Sequence, residues 1–163
     1  MTGLQHLKAL ALDQIQRKYP TLPAAAAIPR QYSDQTANGL TRAILDYLRL
    51  RGGYATRINT TGQIRAGKWV KGTTSRGTAD IMAVYQGFHL SIEVKIGRDR
   101  MSRHQLATRD NVEAAGGLYF IARDFQSFFD WITALDKTEG PGGMPEPSKP
   151  FPTRSKIQFY EQR

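Results

Sequence analysis

The stretch GTADIMAVYQGFHLSIEVK, residues 77–95, carries the clearest structural signal in the chain. ADIMAVY and HLSIEVK are rich in β-formers, and only Gln86, Gly87 and Phe88 separate them, so the spacing predicts two strands joined as a tight hairpin. Upstream, after Gly52 and Gly53, YATRIN alternates and reads as another strand. The intervening TTGQIRAGKWVKGTTSRG is less regular and accommodates either a hairpin about residues 68–70 or a long basic loop. Downstream, residues 102–115 suit a helix stopped by Gly116 and Gly117, and LYFIA reads as a short strand. Asp124 is placed to cap a last helix in which Phe125, Phe128, Phe129, Ile132 and Leu135 recur at helical spacing.

Toward the N-terminus, TGLQHLKALALDQIQRK (residues 2–18) sets Leu4, Leu7, Leu10 or Ala11, and Ile15 on one side of an amphipathic helix. Pro20, Pro23 and Pro29 bracket an alanine run, so residues 19–32 are expected to form a connector, and the first helix to pack on the core or on a second subunit. Ser33 or Asp34 is the expected cap of a helix reaching about Arg51, with Ala37, Leu40, Ile44, Tyr47 and Leu48 on one stripe. The order helix, three or more strands, helix, strand, helix is that of an α/β fold. It divides the chain into an N-terminal helix and linker (1–32), a core domain (33–136) and a Pro- and Gly-rich tail (137–163), where KIQFYEQR is a candidate edge strand.

With 163 residues, 40% of them apolar, the chain has material for one hydrophobic core. Its 23 Lys and Arg against 14 Asp and Glu give a formal charge of +9, which favours a polyanionic partner, nucleic acid first. The excess is concentrated: Arg49, Arg51, Arg57, Arg65, Lys68, Lys71 and Arg76 occur with no acidic residue among them, and this run leads into Asp80. Arg57, Lys68, Lys71, Arg76, Arg98, Arg100 and Arg103 are candidate phosphate contacts, and Ser75 and Thr78 on the approach loop are candidate hydrogen-bond donors to a DNA backbone. Tyr54 and Trp69 offer stacking surfaces but equally suit core or hairpin packing. Absence of cysteine excludes disulfides and thiolate metal sites, and His6, His89 and His104 have no zinc-ligand spacing. No signal-peptide core or bilayer-spanning run is present, so a soluble cytoplasmic protein is expected.

Glu93 and Lys95, two apart on one strand, project from the same face about 6 to 7 Å apart along the backbone. Hairpin pairing brings Asp80 beside them. Two carboxylates with backbone carbonyls form the hard oxygen environment that Mg²⁺ or Mn²⁺ prefers, and a nearby ammonium complements charge developing on a phosphate. Val94, facing the opposite way, anchors the strand in the core while its carbonyl is within reach of an ion. The same three charges also describe the solvent face of an ordinary hairpin, with Glu93 and Lys95 as a surface pair.

GTADI followed after a short loop by IEVK resembles the bipartite signature of the PD-(D/E)XK nuclease superfamily. The wider pattern resembles its virus-type replication-repair nuclease (VRR-NUC) branch: a helix ending in DYLRLRGG, then RINTTG, KGTTSRGTADI, SIEVK, SRHQ and GGLYFIAR, over roughly residues 34–132. The resemblance implies a mixed central β-sheet flanked by helices, a restriction-endonuclease-like core. It implies that Asp80 and Glu93 bind the metal, Lys95 assists the attacking water and Gln105 on the next helix supports the site. Gln105 also lies on that helix's expected inward stripe with Met101, Thr108, Val112 and Ala115, although a plain capping role suits it as well. Ala79 replaces the family's proline, and the first core helix, ANGLTRAIL, has no Glu where the family has one. Asn38 stands closest, one turn after Asp34, which makes a single-ion site the expectation. The implied activity is Mg²⁺- or Mn²⁺-dependent DNA endonuclease action, structure-specific cleavage of branched or junction DNA included; separately, the need of a small nuclease to cut both strands makes a homodimer a candidate assembly, with the N-terminal helix as a contact. A catalytically silent nucleic-acid-binding module with the nuclease fold is the alternative.

Overall fold

The tight hairpin is the centre of the sheet. Strands β4 (Ile81–Tyr85) and β5 (Phe88–Val94) pair antiparallel from Ile81↔Ile92 to the closing pair Tyr85↔Phe88. Gln86 and Gly87 alone make the turn, with φ of +48° and +82°, so both sit in the left-handed region that a two-residue turn of this hand demands. Glycine meets that demand without strain. The side-chain amide of Gln86 donates to Asp136 at 2.8 Å, tying the less favourable residue down.

A computed structural model describes residues 1–58, 63–65, 68–70 and 75–138, the two three-residue stretches by their backbone only. In chain order the elements are α1 (Gly3–Lys18), a 3₁₀ turn at Ala24–Ala26, α2 (Ala37–Leu50), β1 (Tyr54–Arg57), β2 (Gln63–Arg65), β3 (Lys68–Val70), β4, β5, α3 (Arg103–Ala114), β6 (Leu118–Ala122) and α4 (Phe125–Leu135). The main sheet is mixed, in the order β1-β4-β5-β6, with only the β5–β6 pair parallel. β2 and β3 form a separate antiparallel hairpin, one of the two arrangements open in the sequence. The tail from residue 139, with its candidate edge strand, lies outside the described residues, as do Lys71 and the side chains of Lys68 and Trp69.

Alternation gives each face of the sheet its task. Ile81, Ala83 and Tyr85 of β4 and Leu90, Ile92 and Val94 of β5 are buried toward α2 and α4, while Met82 and Val84 are exposed on the other side. The core is completed by Leu40, Ile44, Tyr47 and Leu48 of α2 and by Phe125, Phe128 and Ile132 of α4. Tyr47 meets Phe125, Phe128 and Phe129 edge-on, each at 5.9 Å between ring centres. Leu7 of α1 is fully buried in the same core, and Gly3 lies so close to Phe129 that an added Cβ would approach its side chain to 2.8 Å. The first helix thus packs on its own chain's core.

One capping expectation is corrected. Thr36, and neither Ser33 nor Asp34, caps α2, accepting from the Gly39 N–H at 3.1 Å. Thr36 has the extended backbone a cap requires, and Asp34 is engaged elsewhere: it accepts from the Phe125 N–H at 3.0 Å, at the start of α4. Among the described residues no helix is long and apolar enough to cross a membrane.

Candidate metal centre

Asp80, Glu93, Lys95 and Gln105 come together on the sheet face opposite the aromatic core. Asp80 immediately precedes β4, its carbonyl accepting from the Ile58 N–H at 2.8 Å. Its carboxylate reaches across the hairpin and accepts from the Val94 N–H at 2.9 Å, which fixes it at the end of β5. Glu93 belongs to β5 and is 2% exposed, and Lys95 just beyond the strand is 6% exposed, so these are not the surface charges of a solvated hairpin. The Lys95 ammonium donates to Glu93 Oε1 at 3.1 Å and to Asp99 at 3.3 Å. Val94 turns its side chain into the core between them, as its parity on the strand requires.

Gln105 has both of the roles open in the sequence. As the third residue of α3 it closes a capping box, its Oε1 accepting from the Ser102 N–H at 2.9 Å while the Ser102 hydroxyl accepts from its own N–H. That clamp leaves the amide Nε2 to donate to Glu93 Oε1. Helix initiation therefore orients a site residue.

The two oxygens of Glu93 are unlike. Oε1 receives Lys95 and Gln105, whereas Oε2 is buried with no partner. Burial, and after it the charge of Asp80, push the Glu93 carboxyl up to about 7, against the opposing pull of Lys95. Burial draws the Lys95 ammonium down, but its hydrogen bonds and charge pairing with Glu93 and Asp99 outweigh this and hold it above its usual range. A buried, unpartnered carboxylate oxygen near a second carboxylate is satisfied either by a proton, in line with the raised pKa, or by a divalent cation. The donors are hard oxygens, so Mg²⁺ or Mn²⁺ fits them better than a thiophilic metal. Among the described residues no group of three or more Asp, Glu, His or Cys is gathered, so Asp80 and Glu93 are the charged ligands available.

The other expected residues divide. Ser75 and Arg76 are exposed on the loop leading to Asp80, and the Thr78 hydroxyl donates to the Ser75 carbonyl at 2.8 Å to shape that loop. Arg98, Arg100 and Arg103 are exposed between Lys95 and the first turn of α3. Asn38 lies elsewhere, in a cleft shared with Arg57 and other arginines whose lining includes neither Asp80 nor Glu93. Tyr54 is 68% exposed and takes no core role. His104 is exposed and stands outside the site.

Two contributors are not visible in the sequence. Gly77, at φ +83°, lies so close to the first turn of α3 that a Cβ there would stand 2.4 Å from the His104 carbonyl oxygen. It seats the approach loop against the helix that carries Gln105. Tyr119 of β6 pairs with Ser91 and so shares the face of Glu93, and its hydroxyl is buried without a partner. Burial first, then the charges of Glu93 and Asp80, raise its pKa and keep the phenol neutral. The strand is legible as LYFIA, but the parallel register that turns Tyr119 to this face depends on the α3 crossover. No protein-family model matches the chain, and comparison with curated proteins finds no significant match.

Proposed function

We propose that this chain is a Mg²⁺-dependent DNA endonuclease of the PD-(D/E)XK type, hydrolysing phosphodiester bonds. The observation that carries the reading is Glu93: a buried carboxylate with one oxygen held by Lys95 and Gln105, the other unpaired, and Asp80 fixed beside it. Asp80, Glu93 and the Val94 carbonyl would hold the ion. A divalent cation there would polarise the scissile phosphate and lower the pKa of a water molecule. The mixed sheet with α3 on one face and α2 and α4 on the other is compatible with a restriction-endonuclease-like core.

Charge balance supports a phosphate substrate. Asp80, Glu93, Asp99 and Lys95 together carry two net negative charges, which favours a cation; a divalent ion cancels them and leaves the surrounding arginines to favour a phosphodiester anion. Lys95 is placed as a donor, its ammonium oriented by Glu93 and Asp99, and complements negative charge that builds on the phosphoryl oxygens as the water oxygen bonds to phosphorus and the bridging oxygen leaves. Gln105 keeps Glu93 in register with α3. The exposed Arg76, Arg98, Arg100 and Arg103 surround the approach to the site and suit backbone phosphates. Cutting both strands of a duplex calls for two such sites, which a homodimer would supply.

The small number of gathered carboxylates favours one alternative, a nucleic-acid-binding module with the same fold and no cleavage. Calorimetric titration with Mn²⁺ separates the two, since a pure binding module has no use for an ion at Asp80 and Glu93. Incubation of linear, flap and four-way-junction DNAs with Mg²⁺ or Mn²⁺ tests activity and substrate shape together.

A further inference from the structure

Away from Asp80 and Glu93, a cleft of about 370 Å³ is lined by α2, the end of β1 and the linker before α2. Four arginines converge there, Arg30, Arg42, Arg49 and Arg57, with Asp46 as the one carboxylate and Asn38 at its rim. They are not equivalent. Arg30 pairs with Asp46 at 2.9 Å, and the Tyr32 hydroxyl donates to the same carboxylate at 3.2 Å, so the one negative charge is already engaged. Arg49 is pinned by two hydrogen bonds to the Ala55 carbonyl, at 3.1 and 2.7 Å, which fix its guanidinium without neutralising it. Arg42 and Arg57 have no ion-pair partner among the described residues. All four are solvent-exposed, so water and salt screen their mutual repulsion, but an anion entering the cleft meets several guanidinium forks, which suit phosphate oxygens in particular. A second cleft of similar volume shares Arg30, Asp46 and Arg49 and extends the groove toward α1.

The cleft also has a fixed relation to the candidate metal centre. Arg57 pairs with Ile81 across β1 and β4, and the following Ile58 N–H bonds the Asp80 carbonyl at 2.8 Å. The arginine cleft, on the α2 face, and Asp80, whose carboxylate lies on the opposite face, are therefore at the same end of the sheet, joined through the backbones of the edge strand β1 and its neighbour β4. We infer that this cleft binds the phosphodiester backbone of a nucleic-acid strand that passes round the β1 edge of the sheet toward the phosphate presented to Asp80 and Glu93. Recognition is through phosphates alone, so it is independent of base sequence. For its substrate the inference rests on the nuclease reading; for its chemistry it rests on the four guanidiniums.

The test is binding of a short fluorescein-labelled DNA duplex in EDTA, by anisotropy over a range of salt concentrations, with cleavage in Mg²⁺ measured separately. Relative to the parent chain, the double substitution Arg42→Gln, Arg57→Gln is expected to weaken binding about tenfold or more. It should also make the slope of log affinity against log salt shallower by about two, one for each phosphate no longer neutralised by an arginine. The control Lys8→Gln, Lys137→Gln removes the same charge at exposed positions outside the cleft and should change affinity less than about twofold. Unchanged binding in the cleft variant, or an equal loss in both variants, overturns the inference. Unchanged binding together with Mg²⁺-dependent cleavage overturns the cleft and leaves the nuclease reading standing. A selective loss without any cleavage by the parent chain supports the cleft and removes the nuclease reading.

Discussion

Glu93 is where the site's chemistry and its cost meet. Its carboxyl is pushed from 4.5 up to about 7 in the fold without metal, so between these values the folded chain holds a proton that the unfolded chain has released. The unfolded state then binds fewer protons, and stability falls as pH rises through this window. The total effect is on the order of 3 kcal/mol, at about 1.4 kcal/mol for each pH unit that the window spans. Chemical denaturation in EDTA at pH 5 and pH 8 should show this decline, and Glu93→Gln should abolish most of it. A parent protein equally stable at both values would contradict the burial argument. The four residues of the site are legible in the sequence because three are set by spacing on one hairpin and the fourth by its place in the next helix. Tyr119 and Asp99 are not, since their approach depends on a crossover and on a loop that periodicity does not describe.

At the scale of elements, α3 and the loop before β4 act as one unit. The capping box of Ser102 and Gln105 starts the helix and aims Gln105 at Glu93, and Gly77 lies against the same turn. Gly77→Ala brings a Cβ to 2.4 Å from the His104 carbonyl and also strains a φ of +83°. A cost of roughly 1 to 3 kcal/mol follows. Because relief of the clash requires the first turn of α3 to move, Mn²⁺ affinity by calorimetry should fall about tenfold or more, the range for loss of a residue that orients a ligand. Thermal destabilisation with unchanged Mn²⁺ affinity would separate the loop from the site. Helix ends are only partly readable here. Asp124 is recognisable as the cap of α4, but near α2 three residues of capping type lie within four positions, and long-range docking of Asp34 on Phe125 decides which one serves.

Over the whole molecule, one core joins α1, α2, α4 and the inner face of the sheet, while the outer face is left to the charged site. Leu7→Ala should cost about 3 kcal/mol, the usual range for a buried leucine, with Mn²⁺ affinity preserved because α1 lies on the core side. A change in thermal midpoint near zero would mean that α1 does not belong to that core. The hydrophobic stripes that build this arrangement are visible in the sequence, as is the order of elements. Strand order is not: β1 pairs with β4 across the β2–β3 hairpin, a choice made by the sheet as a whole. The arginine cleft is hidden for a related reason, because Arg30, Arg42, Arg49 and Arg57 are scattered along the chain and are gathered only when α2 packs beside β1.

The claim that joins these scales is that Asp80 and Glu93 hold a divalent ion for phosphodiester hydrolysis. Labelled linear, flap and four-way-junction DNAs should be incubated with the parent chain and with Glu93→Gln, each in Mg²⁺ and in EDTA. Cleavage of at least one substrate by the parent in Mg²⁺, its loss in EDTA, and a fall of at least about a hundredfold in the variant are the expected results. No metal-dependent cleavage by the parent, or full activity in Glu93→Gln, would contradict the account.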